Sequence, residues 1–174
     1  MGAIILIVFG EPGVRVLMDL QRLAVQIKDW GREAGFQQVG ISGTVLTEAE
    51  GRLEEWTARG LHGNLDYMTR HGSKRTQPAA LLPGTARIIS ARMDYLPVAA
   101  APANAVLANG ELAYIARYAL GRDYHKLLRQ RLQRLAARIS SAGALHGYRV
   151  FVDSAPLSLT TELLGETMFA PLLV

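Results

Sequence analysis

YIARYALGRDYH, residues 114–125, runs directly into KLLRQRLQRLAARI, residues 126–139, and a short gap later comes YRVFVDSAP, residues 148–156. The middle segment decides most. From Tyr124 the apolar residues fall at Leu127, Leu128, Leu132, Leu135 and Ile139, one face at a period of about 3.6, so the spacing predicts an amphipathic helix. Asp123 stands just before that run, where a carboxylate accepts from the free N–H groups of a first turn. The other faces carry Lys126, Arg129, Arg131, Arg134 and Arg138, with no acid between Asp123 and Ile139. Such a run reads in two ways. It is a solvated helix face, or it is a stripe aimed at phosphates, whose neutralisation needs clustered cations of one sign. The third segment reads as an apolar strand with Asp153 at its end. Ser154-Ala155-Pro156 makes a turn easy there, so Asp153 is either a turn former or an acid placed at a strand end.

Outward from this region the chain alternates. Leu20, Leu23, Ala24, Ile27, Trp30 and Ala34 mark one face of a helix that ends near Gly35. Phe36 to Ile41 is a short strand. Thr47-Glu-Ala-Glu50 has the form of a capping box and opens a second helix through Leu53 and Trp56, stopping before Gly60. Both tryptophans read as core side chains. His62 to Met68 is a turn followed by a short helical pattern, Lys74-Arg75 is a basic loop before Pro78, and Leu82-Pro83-Gly84 is another turn. Arg87 to Tyr95 reads as a buried strand, and the alanine-rich stretch 99–109 as a surface excursion. Residues 1–17 stand apart. Ala3 to Phe9 is apolar but far short of the ~20 residues that span a bilayer, and no basic flank marks it as a signal peptide. It reads as an edge strand or, preferably, as an upstream extension before a natural start at Met18.

At 174 residues, with 49% hydrophobic and 20% charged residues, the composition is that of one folded domain. The net charge of +4 permits an anionic partner without requiring one. There is no cysteine, which excludes disulfides, cysteine-bound zinc and any iron–sulfur cluster held by these residues. The 4 histidines are scattered, so no metal site is expected. Glycine-rich nucleotide loops and the hydrolase G-x-S-x-G elbow are absent from the sequence. Alternation of helix and strand predicts a single layered α/β (α+β) domain, with ligands beyond the carboxyl ends of strands, where Asp153 falls.

Several segments together resemble one family. HGNLDYM (62–68), Lys74-Arg75, Leu81-Leu82-Pro83, RYALGRDYHK (117–126) and FVDSAP (151–156) are similar, in order and spacing, to the amino-terminal half of epoxyqueuosine reductase. The likeness runs from about Asp19 to Leu157, which sets domain limits of 1–17 for the extension, 18–157 for the reductase-like domain and 158–174 for a divergent tail.

The resemblance implies a cobalamin-binding, reductive-dehalogenase-like domain of a cytoplasmic oxidoreductase that reduces epoxyqueuosine at the tRNA wobble position to queuosine. It implies Asp153 as the proton donor at the opening epoxide, over the cofactor, with Arg75 and Ala116 also lining the cofactor cavity. It further implies tRNA and an external electron donor as partners, no membrane, and a monomer. In that family electrons pass through two [4Fe-4S] clusters, for which the ligands are absent here. The alternatives are a non-catalytic basic RNA-binding module using Lys126 to Arg138, and a non-functional fragment with exposed apolar surface.

Overall fold

The computed structural model describes residues 2–9, 20–70, 72–94, 100–142 and 145–152, leaving aside the side chains of 2–9, 73, 145 and 146. Asp153, the tail 158–174 and Tyr95 lie outside the described residues.

The strands are β1 (Gly2–Phe9), β2 (Gln38–Ser42), β3 (Thr85–Arg92) and β4 (Leu145–Val152). They form one sheet in the order β2-β3-β1-β4, and every neighbouring pair is antiparallel. The layered domain expected from the alternation is therefore of the α+β kind. The rule that ligands collect beyond the carboxyl ends of parallel strands has no purchase on such a sheet. The apolar segment near the amino end, set apart in the sequence as an edge strand or extension, supplies an inner strand.

Among the described residues five helices accompany the sheet: α1 (Leu20–Glu33), α2 (Thr47–Ala58), α3 (Tyr67–Arg70), α4 (Ala103–Leu107) and α5 (Tyr124–Ser141). Successive strand residues point to opposite faces, and here both faces are covered. Ile89 and Ala91 of β3, Val39 of β2 and Val152 of β4 pack with Leu23 and Ile27 of α1 and with Leu128, Leu132, Leu135, Ala136 and Ile139 of α5. Ile88 and Phe151, pointing the other way, pack with Leu46, Ala49 of α2 and the Leu81–Leu82 turn. Burying Leu128, Leu132, Leu135 and Ile139 at ~2 kcal/mol each, with the smaller Ala136 between them, makes this helix a principal support of the first face.

Local chemistry explains the boundaries. Asp123 caps α5 by accepting from the His125 N–H at 3.0 Å, as its position predicts. Gly35, at φ +86°, ends α1 in the left-handed conformation that glycine adopts without penalty. Gly31 lets α1 approach β2: a Cβ there would collide with Val39 Cγ2.

Two local expectations need correction. α2 begins at Thr47 behind Leu46, with no side-chain cap, so the capping box does not form. Its Glu50 points instead to the loop at 76–77, accepting from Thr76 Oγ1 and Gln77 Nε2, both at 3.0 Å. Leu127, counted on the buried face of α5, remains 39% exposed because it lies on the margin of the apolar stripe.

Candidate active site and basic groove

β3 and β4 both run antiparallel to β1 and therefore parallel to each other, so their carboxyl ends, Arg92 and Val152, lie at the same end of the sheet. α5 leads back into β4 from that end. The capped start of α5 and Val152, the last residue of β4, are thus brought toward one end of the domain by topology.

At the start of α5, His125 Nδ1 lies 3.0 Å from the same Asp123 oxygen that caps the helix, and its ring stacks on Tyr124 with centroids 4.1 Å apart. Tyr118 meets Tyr124 edge to face at 6.4 Å. The His125 N–H, and then its imidazole, hold the Asp123 carboxyl below its ordinary pKa. Before this cluster, Ala116 is half-buried at the head of a 3-10 turn, Arg117–Ala119. Around it Leu112, Tyr114, Ile115, Tyr118 and Leu120 are all exposed apolar side chains. A run of this kind is apolar surface without cover among the described residues.

Arg75 sits elsewhere in the chain, in the 3-10 turn Gly72–Arg75. It is 7% exposed, donates from Nε to the Met68 carbonyl at 3.0 Å and from Nη2 to the Tyr67 carbonyl at 2.6 Å, and lies over the Tyr67 ring at 5.7 Å. Burial lowers its pKa, with the Tyr67 phenol opposing the shift. It stays a cation, since guanidinium does not lose its proton in proteins. Among the described residues no hydrogen bond or ring contact joins Arg75 to Ala116. Nearby in sequence, His62 packs its ring 6.0 Å from Trp56, and its Nδ1 is buried with no hydrogen-bond partner among the described residues.

A second feature lies between α1 and α5. A groove of about 460 Å³ is lined by Trp30, Glu33, Arg131, Arg134 and Arg138, with Ala34 and Leu135 at its floor. Positions 131, 134 and 138 follow the i, i+3, i+7 spacing of one helix ridge, whereas Lys126 and Arg129 project from another side. The single basic stripe read from the sequence is therefore two. Arg131 donates from Nη1 to the Gly35 carbonyl at 3.3 Å, and Arg138 pairs with Glu33 while lying 4.7 Å over the Trp30 ring. Trp30 is thus half core and half platform for a cation, a role its spacing alone does not reveal.

Residues 75–154 match the family model described as epoxyqueuosine reductase QueG, DUF1730. The chain is also 60% identical over 139 residues to the epoxyqueuosine reductase of Pseudomonas aeruginosa, and 54% identical over 140 residues to that of Escherichia coli. Over this stretch the chain is similar to epoxyqueuosine reductases. These alignments cover 80% of the chain but only 38% and 37% of the two reductases, so the chain spans about two fifths of their length. No solved structure gives a significant match. The matched stretch contains Arg75, Ala116 and Asp153, the residues named from the resemblance, together with the Asp123 cap and all of α5.

Proposed function

We propose that this chain carries the cofactor- and substrate-facing part of an epoxyqueuosine reductase, acting on epoxyqueuosine at the wobble position of tRNA. The observation that carries this reading is the 60% identity over 80% of the chain. In this reading residues 18–157 form the reductase-like domain, with 1–17 and 158–174 flanking it.

Two groups belong to the proposed chemistry, and they fare differently against the residues present. Iron–sulfur clusters do not fit, because there is no thiolate to hold them; the electrons then come from an external donor. Cobalamin does fit. The small Ala116 amid exposed Tyr114, Ile115 and Tyr118 offers an apolar surface that a flat macrocycle can cover. Arg75, fixed by two carbonyls, offers a rigid cation for the polar edge of the cofactor. When bound, cobalamin supplies the reducing cobalt.

The chain's own residues handle position and proton. Asp153, following the apolar end of β4, donates a proton to the epoxide oxygen as the ring opens and negative charge develops there. That role needs a carboxylic acid kept neutral near pH 7 by desolvation. The groove of Arg131, Arg134 and Arg138 meets tRNA phosphates, fixing the substrate without reading bases. No helix among the described residues is long and apolar enough to cross a membrane; that the protein is a cytoplasmic monomer is part of the proposal and rests on the family likeness alone.

The test is an absorbance titration of cob(II)alamin with the purified chain and with Asp153→Asn. A saturable shift to the base-off spectrum in both proteins is expected. Restoring turnover then requires iron–sulfur modules added in trans, and only the wild type responds. A demonstrably folded chain that produces no shift would sink the cofactor reading.

A further inference from the structure

Two strands of the sheet, β1 and β2, lie outside the family-matched stretch, and β1 separates two that lie inside it. β3 and β4 both lie in the family-matched stretch 75–154, but β1, which separates them, does not. Among the described residues β4 pairs with β1 alone, over Ala3–Phe9, while β3 pairs with β1 over Gly2–Val8 and with β2 on its other edge. With one strand between them, β3 and β4 stand two strand spacings apart, about 9.6 Å, beyond the reach of a direct ladder. Both are covered on both faces: Ile88 and Phe151 pack on one side, Ile89 and Val152 on the other. α5 packs across both β4 and β1. Removing β1 therefore leaves a gap walled by two strand edges and roofed by a helix.

We propose that this gap is a strand-accepting slot. In the longer reductases an apolar extended segment from outside the matched stretch fills it, and in this chain Gly2–Phe9 fills it in cis. The chemistry fits on three counts. The two edges run parallel to each other, so they accept one strand antiparallel to both. Main-chain pairing is tolerant of sequence, as in other strand-addition sites. The segment GAIILIVF has no charge and no polar side chain, the composition of a strand covered on both faces. This inference stands on the sheet and the matched range, and does not depend on cobalamin or tRNA.

The experiment cuts the full chain at a protease site placed between Gly10 and Leu17. A labelled peptide of residues 2–9 is then added, and amide exchange in β4 is followed. The labelled peptide should exchange into the cut protein saturably, and an Ile5→Pro, Ile7→Pro peptide should not, because proline removes ladder donors. Dilution that releases the native segment should speed exchange in β4 by roughly tenfold or more, as a local opening does. Short overlapping peptides covering the rest of the Pseudomonas aeruginosa reductase are then screened, and one should displace the label. Where the cut chain precipitates, uncut Ile5→Pro chain, with β1 loosened in place, should take up the wild-type peptide that the unaltered chain refuses. Unchanged β4 exchange after release of the segment would overturn the slot. Failure of every reductase peptide to compete would overturn its use in the relatives.

Discussion

Asp123 joins two tasks in one carboxylate, capping α5 through the His125 N–H and holding the His125 ring at 3.0 Å. Its folded pKa lies below the ordinary aspartate value. Stability from the charged cap is therefore complete above the ordinary value and is lost as pH falls through the lowered folded one. Asparagine caps a helix as well as aspartate but does not titrate. Asp123→Asn should thus hold the melting temperature near neutral pH while flattening its acid limb below the ordinary aspartate value of about 4; thermal melts through that acid range decide it. Arg75 makes a contrasting case. Its guanidinium bridges two carbonyls that a lysine, with one nitrogen, does not span together. Arg75→Lys should cost about 2 kcal/mol in denaturant unfolding and weaken cob(II)alamin binding; an unchanged unfolding midpoint would remove its structural half.

α5 shows how much of an element its sequence displays. Period, cap and four of the five apolar positions read from the sequence are found in the structure, because helix periodicity and N-cap chemistry are local. Leu127 departs from the periodic reading because the width of the buried stripe depends on what packs against it, and only the sheet and α1 settle that. The energetic consequence is direct. Leu132→Ala, at a site of 0% exposure, should cost about 3 kcal/mol, whereas Leu127→Ala should cost well under about 1 kcal/mol. Equal costs would mean that the helix is rotated from the position described. Long-range polar contacts were not legible at all. Glu50 has the spacing of a capping residue, yet it ties α2 to Thr76 and Gln77, 26 and 27 residues away. Likewise strand direction was not legible. Alternating helices and strands are compatible with parallel or antiparallel pairing; here β2 pairs antiparallel to β3, and the apolar segment from the amino end inserts antiparallel to both β3 and β4.

Across the whole molecule, positive charge is concentrated by geometry more than by composition. A net charge of +4 on 174 residues is modest, but one ridge of α5 turns three arginines into a groove where Glu33 is the lone acid. Pairing with Glu33 and stacking on Trp30 fix Arg138, and the Gly35 carbonyl fixes Arg131, so two of the three cations are preorganised. Preorganised cations lose little side-chain freedom when a phosphate arrives. Lys126 and Arg129, on the other side of the helix, lack that support. If tRNA rests in the groove, Arg134→Ala should weaken binding and reduce the slope of log K against log salt by about 1, while Arg129→Ala leaves the slope unchanged. Filter binding at several salt concentrations separates the cases. Equal slope changes from both substitutions would mean diffuse attraction to the whole helix, and a salt slope untouched by either would move the tRNA contact off α5.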